Sequence, residues 1–315
     1  MLFRSLLFTG RLQYDYAASD ADQGSNDEWN LRRLRLGGRA TIFKSILLHG
    51  EVELNPQESN PTYVRLTDMY LQWTGSPRTV IQIGKQSVPF TMDGATSSKE
   101  LLAIDRSNLA NNLWFPQEYI PGVSYSGKRG ATNYRLGLYS AGTANREFGE
   151  FNGSWFLLGV VGRDFAKQLG VPSIKEALLS GNYVYQNADR RNTFTRSLRH
   201  VGSANLKLEA AKWGFRGDLA GGRGYLGQSN LWGFMLMPYA NITSKWQVVG
   251  RYTFLDSSKK NGVRLNLYES RIVPGRGDRY NELYAGVNYY FYGHKLKWQN
   301  GVQQDRKSTR LNSSH

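Results

Sequence analysis

In the stretch NLRRLRLGGRATIF (30–43), Arg33, Arg35 and Arg39 hold odd positions while Leu34, Leu36, Ala40 and Ile42 hold even ones. Successive side chains of a strand point to opposite faces, so this ribbon is apolar on one side and cationic on the other. The same period runs along the chain. In FTGRLQYDYA (8–17), Leu12, Tyr14 and Tyr16 oppose Arg11, Gln13 and Asp15. In ILLHGEVELN (46–55), Ile46, Leu48, Val52 and Leu54 oppose His49, Glu51 and Glu53. In LTDMYLQW (66–73), Met69, Leu71 and Trp73 oppose Asp68, Tyr70 and Gln72. Similar segments follow at 79–90, 122–127, 132–140, 154–162, 181–186, 202–210, 213–221, 232–242, 246–255, 280–292 and 295–302, which makes fifteen in all.

Segments of about ten alternating residues, joined by short turns and longer loops in turn, are the pattern of an antiparallel transmembrane β-barrel. A tight turn is predicted near Lys44 and a polar loop over 18–28. Trp73, Trp213, Trp232, Trp246 and the run at 288–292 fall at segment ends, where interfacial aromatic girdles would lie. No run approaches the ~20 apolar residues of a spanning helix. The alternative reading of the same period is a soluble all-β module that binds a polyanion or a carbohydrate. A barrel needs every strand apolar on one face, whereas a soluble sandwich would carry charges on both.

One region breaks the period. Residues 91–121 form a long interruption in which Ser97 and Glu100 make an S-x-x-E capping box, predicting a short helix after it. A second S-x-x-E, Ser173 to Glu176, predicts another in the connection after the eighth segment. Loops this long are usually functional.

Composition narrows the chemistry. The 315 residues contain no cysteine, which removes disulfides, zinc-thiolate sites and cysteine nucleophiles. Lys and Arg number 40 against 25 Asp and Glu, a formal charge of +15, so anionic partners are expected. The final stretch RKSTRLNSSH (306–315) lacks apolar periodicity and reads as a non-native, adapter-like tail; without Arg306, Lys307 and Arg310 the charge is still +12 (15 − 3). MLFRSLLF at the start has no small-x-small cleavage site, so the chain is read as a fragment at both ends. Catalytic constellations are lacking. His49, His200, His294 and His315 stand far apart, GGRG at 221–224 lacks the context of a phosphate loop, and no Gly-x-Ser-x-Gly elbow occurs. The expectation is a non-enzyme without cofactor or metal.

Several stretches together resemble the phosphate-selective porin O and P family. They are RRLR (32–35), GKQSVPF (84–90), IDRSNLANNLWFP (104–116) and GVNYYFYGHKLKWQNGV (286–302), in an order and spacing that run to about residue 304. The resemblance implies a sixteen-stranded, typically trimeric outer-membrane barrel that passes small anions such as phosphate or polyphosphate by diffusion, with an inward-folding loop at 91–121 that narrows the lumen. It also implies a barrel over 1–305 whose last strand is missing. Expected partners are outer-membrane lipid and lipopolysaccharide, small anions and further copies of the chain, not nucleic acid.

Charge on the lipid face at the bilayer midplane costs about 2–4 kcal/mol, so alternation assigns the basic residues to a water-filled lumen. The predicted anion path is Arg11, Arg33, Arg35, Arg39, Arg135, Lys207, Arg216, Arg251 and Lys297, with Lys99 and Arg106 on the constriction loop. Guanidinium forks match phosphate and carboxylate oxygens, and rings of Arg or Lys select anions. Asp15, Glu51, Glu53, Asp68, Glu209, Asp218 and Glu282 are assigned inward too, so some of the cations could instead serve a salt-bridged wall. The basic segments 189–200 and 257–271 are placed at the outer mouth, where they would steer anions or meet lipopolysaccharide.

Overall fold

A computed structural model describes residues 3–57, 62–113, 119–140, 154–187 and 196–308. Fifteen strands form one antiparallel sheet in strict sequence order, each hydrogen-bonded to the next. They are β1 (Phe3–Ala21), β2 (Gly24–Ile42), β3 (Ile46–Leu54), β4 (Tyr63–Ser76), β5 (Thr79–Ser87), β6 (Tyr119–Arg129), β7 (Thr132–Ser140) and β8 (Trp155–Asp164). Then come β9 (Ile174–Gln186), β10 (Leu198–Ala210), β11 (Trp213–Gly224), β12 (Leu231–Asn241), β13 (Trp246–Ser257), β14 (Arg279–Tyr292) and β15 (Leu296–Ser308). β1 and β15 do not pair, so the sheet is not closed. No second sheet packs on the first among the described residues, which removes the sandwich alternative.

The apolar faces point outward. Leu36, Leu71, Ile83, Leu136, Leu219 and Leu283 are all exposed on the sheet's convex side, the surface that hydrocarbon covers in a spanning barrel. Aromatic rings gather at the ends: Trp246 lies 4.7 Å from Tyr289, and Tyr289 lies 4.6 Å from Phe291, at the short-turn end. At the long-loop end Trp232 packs 5.2 Å from Phe254, and Trp29 lies 5.6 Å from Tyr14 and 4.9 Å from Tyr16.

The turn at Lys44 is present, with Phe43 and Lys44 both at positive φ (48° and 69°). The loop expected over 18–28 is not: β1 and β2 continue as a long hairpin to Ala21 and Gly24, and only Asp22 and Gln23 turn. Polar composition there misled because a strand that rises beyond the membrane meets water on both faces. The capping boxes also failed. Ser97 and Glu100 close only a turn, with Glu100 N–H donating to Ser97 O at 2.8 Å, and Ser173 leads into β9. The helices stand on either side: α1 (Met92–Ala95), where Thr91 Oγ accepts from Gly94 N–H at 3.0 Å, and α2 (Asn108–Leu113), where Ser107 Oγ accepts from Ala110 N–H at 3.3 Å. α3 (Ala166–Leu169) lies before Ser173, and α4 (Glu269–Ile272) lies in the β13–β14 loop.

β15 extends to Ser308, with Arg306 opposite Asn281 and Lys307 opposite Tyr280, three residues into the segment expected to be a tail. Residues 309–315 of that segment, 189–195 of the first basic segment and 114–116 of the family-like motif lie outside the described residues.

Candidate functional site: a loop-narrowed lumen

Between β5 and β6, residues 88–113 fold inside the barrel, and sequence explains how they leave the wall. Gly84, inside β5, sits at φ +123°, where a Cβ would collide with the Met69 carbonyl, so only glycine fits this point just before the chain leaves the sheet. Past it, Val88 and Phe90 are fully buried and join Leu102, Leu109 and Leu113 in one apolar cluster with inward side chains of the far wall, including Phe156, Leu198, Met235 and Leu255. The loop is thus anchored to the far half of the barrel by hydrophobic burial. Its α1 end is capped by the wall itself: Asp218 accepts from Met92 N–H (2.8 Å) and Asp93 N–H (2.9 Å).

Its other side is held by polar contacts, many from the predicted anion path. Arg11 Nη1 donates to Ser98 Oγ, and Gln13 Nε2 donates to Ser98 O at 3.0 Å. Arg251 Nη1 donates to Asp105 O at 2.5 Å, and Lys297 Nζ donates to Leu101 O at 2.6 Å. Because β1 and β2 lie on one side of the unpaired edges and β13 to β15 on the other, the loop spans between the two edges from within.

The remaining inward cations divide by partner. Arg35 is fully buried, 3.8 Å from Glu51 and 3.5 Å from Glu53, and it also donates to the Tyr119 hydroxyl. Arg251 is paired with Glu282 at 2.7 Å, both buried. Lys207 bridges Glu176 (2.7 Å) and Glu209 (3.1 Å), and Arg216 reaches Glu209 at 3.6 Å. Arg33 donates to Gln13 Oε1 at 2.8 Å, and Arg135 donates to Gln86 Oε1 at 2.5 Å and Ser124 Oγ at 3.2 Å. Arg106 is turned into its own loop, donating to Asp93 O (3.2 Å) and Thr96 O (2.8 Å).

Arg39 differs. It is exposed, lies opposite His49 in the ladder, and has no hydrogen bond or ion pair among the described residues. Lys99, on the loop, also has no ion pair among them. Burial, then the like charge of Arg11, holds its ammonium below the usual lysine range; Arg39 and Arg35 add to this and Glu51 opposes it. These four cations gather at one passage, where Glu51 and Glu53 both reach Arg35 and neither pairs with Arg39 or Lys99.

Sequence reasoning missed Arg32. A β-bulge pairs Gln13 with Arg33 but Tyr14 with Leu31, so the residue between them is inserted and two successive arginines face inward. Arg32 reaches Asp105 at 2.6 Å and ties the loop to β2. The doubled arginine in an otherwise alternating run was the available signal. Arg65 was missed as well; it holds Glu53 at 2.7 Å. On the short-turn side of the loop lies a cavity of about 790 Å³, lined by Leu102, Glu209, Arg216, Tyr239, Gln247 and Tyr290 among others. No cluster of three or more metal-ligating side chains occurs among the described residues.

The family model for the phosphate-selective porin O and P matches residues 7–155, the portion with β1 to β7 and the constriction loop. No curated protein sequence matches the chain. Among solved structures, the chain is similar to the anion-selective porin from Comamonas acidovorans, with 14% identity over 96% of this chain and 89% of that one and a TM-score of 0.65. It is also similar to the OmpTdeltaL8 outer membrane protein of Vibrio cholerae (13% identity, 97% and 95% covered, TM-score 0.59) and to the trimer form of OmpT from the same organism (13%, 98% and 95%, 0.51). The fold is that of an outer-membrane porin barrel, and its first half carries the porin O and P pattern.

Proposed function

We propose that the chain forms a passive diffusion channel for small anions, with selection at the narrowing between the β1–β3 wall and the constriction loop. The observation that carries this reading is the charge left over there. Arg39 and Lys99 have no carboxylate partner among the described residues, and Arg11 and Arg35 stand beside them. Glu51 and Glu53 are engaged with Arg35, and Glu53 also with Arg65. Unspent cations in a narrow, partly desolvated passage lower the free energy of an entering anion and raise that of a cation. The remaining path residues, Arg33, Arg135, Lys207, Arg216, Arg251 and Lys297, serve the wall and the loop and contribute to the potential along the route.

Phosphate, as a doubly charged oxyanion with several acceptors, suits Arg39 and Lys99 acting together. A homotrimer in outer-membrane lipid is the assembly this reading carries, as in the trimer form of the OmpT relative. Zero-current potentials across planar bilayers in a potassium chloride gradient test the channel reading. A potential of anion-selective sign is expected, with added phosphate reducing chloride current; a potential of cation-selective sign would overturn it.

A further inference from the structure

The cavity of about 790 Å³ at the short-turn end lies on β10 to β14, none of which carries the cations of the eyelet. Leu102 of the constriction loop joins its lining, and the turns at 211–212, 242–245 and 293–295 surround its mouth. A space of this size takes a small organic molecule. Two features of its walls point to which kind. The first is Arg216. Its side chain is only 12% exposed, yet its guanidinium makes no hydrogen bond among the described residues, and Nε is shielded without a partner. The nearest carboxylate, Glu209, stands 3.6 Å away and is held closer by Lys207, at 3.1 Å. Arg35 and Arg251, by contrast, donate hydrogen bonds to oxygens of the wall. A fork of donors kept from water and left unmade is costly unless a ligand supplies the oxygens.

The second feature is a pair of rings already fixed in place. Tyr239 lies opposite Gly214 in the ladder, and a Cβ on that glycine would come within 2.2 Å of the tyrosine ring, so the ring is backed by bare backbone. Tyr290 is held by its hydroxyl, which donates to Gln247 Oε1 at 2.9 Å, and by His294, whose ring meets it edge-on at 5.2 Å. Gln247 is itself locked, donating to Asn241 Oδ1 at 2.9 Å and accepting from Asn288 Nδ2 at 2.9 Å. Rings ordered before a ligand arrives offer it apolar surface at little entropic cost.

We infer that this cavity is a binding site for a small aromatic carboxylate, with the carboxylate on Arg216 and the ring against Tyr239, Tyr290 and Leu102. A guanidinium fork matches the two oxygens of a carboxylate, and a ring gains offset or edge-to-face contact with the tyrosines. An inorganic oxyanion would meet the arginine but leave the rings and Leu102 without apolar contact. A neutral sugar or alcohol would leave the fork without a charged acceptor. Lys212 and Lys245, on the turns at the mouth, add positive charge along the way in.

Titration calorimetry of sodium benzoate into the folded chain in detergent tests this, with the heat measured in protein-free micelles subtracted. One saturable site per chain is expected, and acetate, inorganic phosphate and benzyl alcohol should each bind there at least about tenfold more weakly. Arg216→Gln weakens benzoate by at least about tenfold, and Arg216→Lys by less, because it keeps the charge and loses only the fork. Tyr290→Leu weakens benzoate about three- to tenfold and leaves acetate unchanged, a selectivity that a merely structural role would not produce. Arg39→Gln leaves benzoate affinity at the wild-type value. The inference is overturned by a wild type that binds acetate or phosphate as tightly as benzoate, or that shows no saturable benzoate site. Unchanged affinity in whichever of Arg216→Gln and Tyr290→Leu folds, or loss of the site in Arg39→Gln, overturns it as well. The comparison of ligands on the wild type decides even where neither variant folds. Calorimetry needs no current, so a cation-selective pore that binds benzoate would sink the channel reading and keep this site, and an anion-selective pore without benzoate binding would do the reverse.

Discussion

Arg35 and Arg39 lie four residues apart on the same strand, on the same face, in the same stretch of sequence. Arg35 is fully buried between Glu51, Glu53 and Tyr119, while Arg39 is exposed to the passage and pairs with no carboxylate among the described residues. The difference lies in what the neighbouring strand brings opposite: β3 sets Glu53 against Arg35 and His49 against Arg39. Facing the lumen is therefore a condition for acting on an anion but not sufficient for it. A guanidinium already paired with buried carboxylates holds the wall; in the proposed channel, one set opposite an imidazole keeps its field for the solute.

The contrast can be broken hardest at Arg251, which belongs with Arg35. Arg251→Ala leaves the fully buried Glu282 without its partner and removes the donor to Asp105 O, so a loss of about 3–5 kcal/mol is expected in urea unfolding, together with a larger single-channel conductance as the loop loosens. An unchanged midpoint would mean that the pair does not hold the wall. Arg35→Gln is expected to cost less, about 1–3 kcal/mol, because Glu53 keeps Arg65. It should also move the zero-current potential toward cations by releasing Glu51 and Glu53 into the passage. Arg39→Gln should do the reverse of Arg251→Ala: stability within about 0.5 kcal/mol of wild type, with anion preference reduced severalfold. If its unfolding midpoint drops as far as that of Arg35→Gln, the two arginines are not different in kind.

The smallest effect concerns pH. An ammonium carries its charge below its pKa and loses it above, and Lys99 titrates below the usual lysine value of about 10.4. Anion preference should accordingly begin to fall at a pH lower than an ordinary lysine would allow, and Lys99→Gln should remove that alkaline decline while lowering the preference at neutral pH. A wild-type profile identical to that of Lys99→Gln would exclude Lys99 from the passage.

Much of the wall was legible because a strand's period of two is enforced by the solvent on each side. Tyr14, Leu36, Leu71 and Trp73 were read as outward and are exposed; His49, Glu51 and Glu53 were read as inward and are buried. Local exceptions were harder. The hairpin beyond the membrane hid in polar composition, and a bulge turned Arg32 inward against the period. The loop's helices began at Thr91 and Ser107 instead of Ser97, because Asp218 across the barrel caps α1 and the Asp93 carboxylate accepts from Ser107 N–H at 2.6 Å. No window of local sequence contains those partners.

By itself the sequence determined the strands, their order and the outward apolar face. These are properties of each residue and its immediate neighbours in a pleated ribbon. Which cations remain available was decided only in three dimensions. Ladder register chose the partner of each arginine and set Arg39 opposite His49, and the inward loop, anchored through Phe90 and Leu109, brought backbone carbonyls to Arg251 and Lys297. Pairing is a property of residues far apart along the chain, and its energy depends on burial that no single strand possesses.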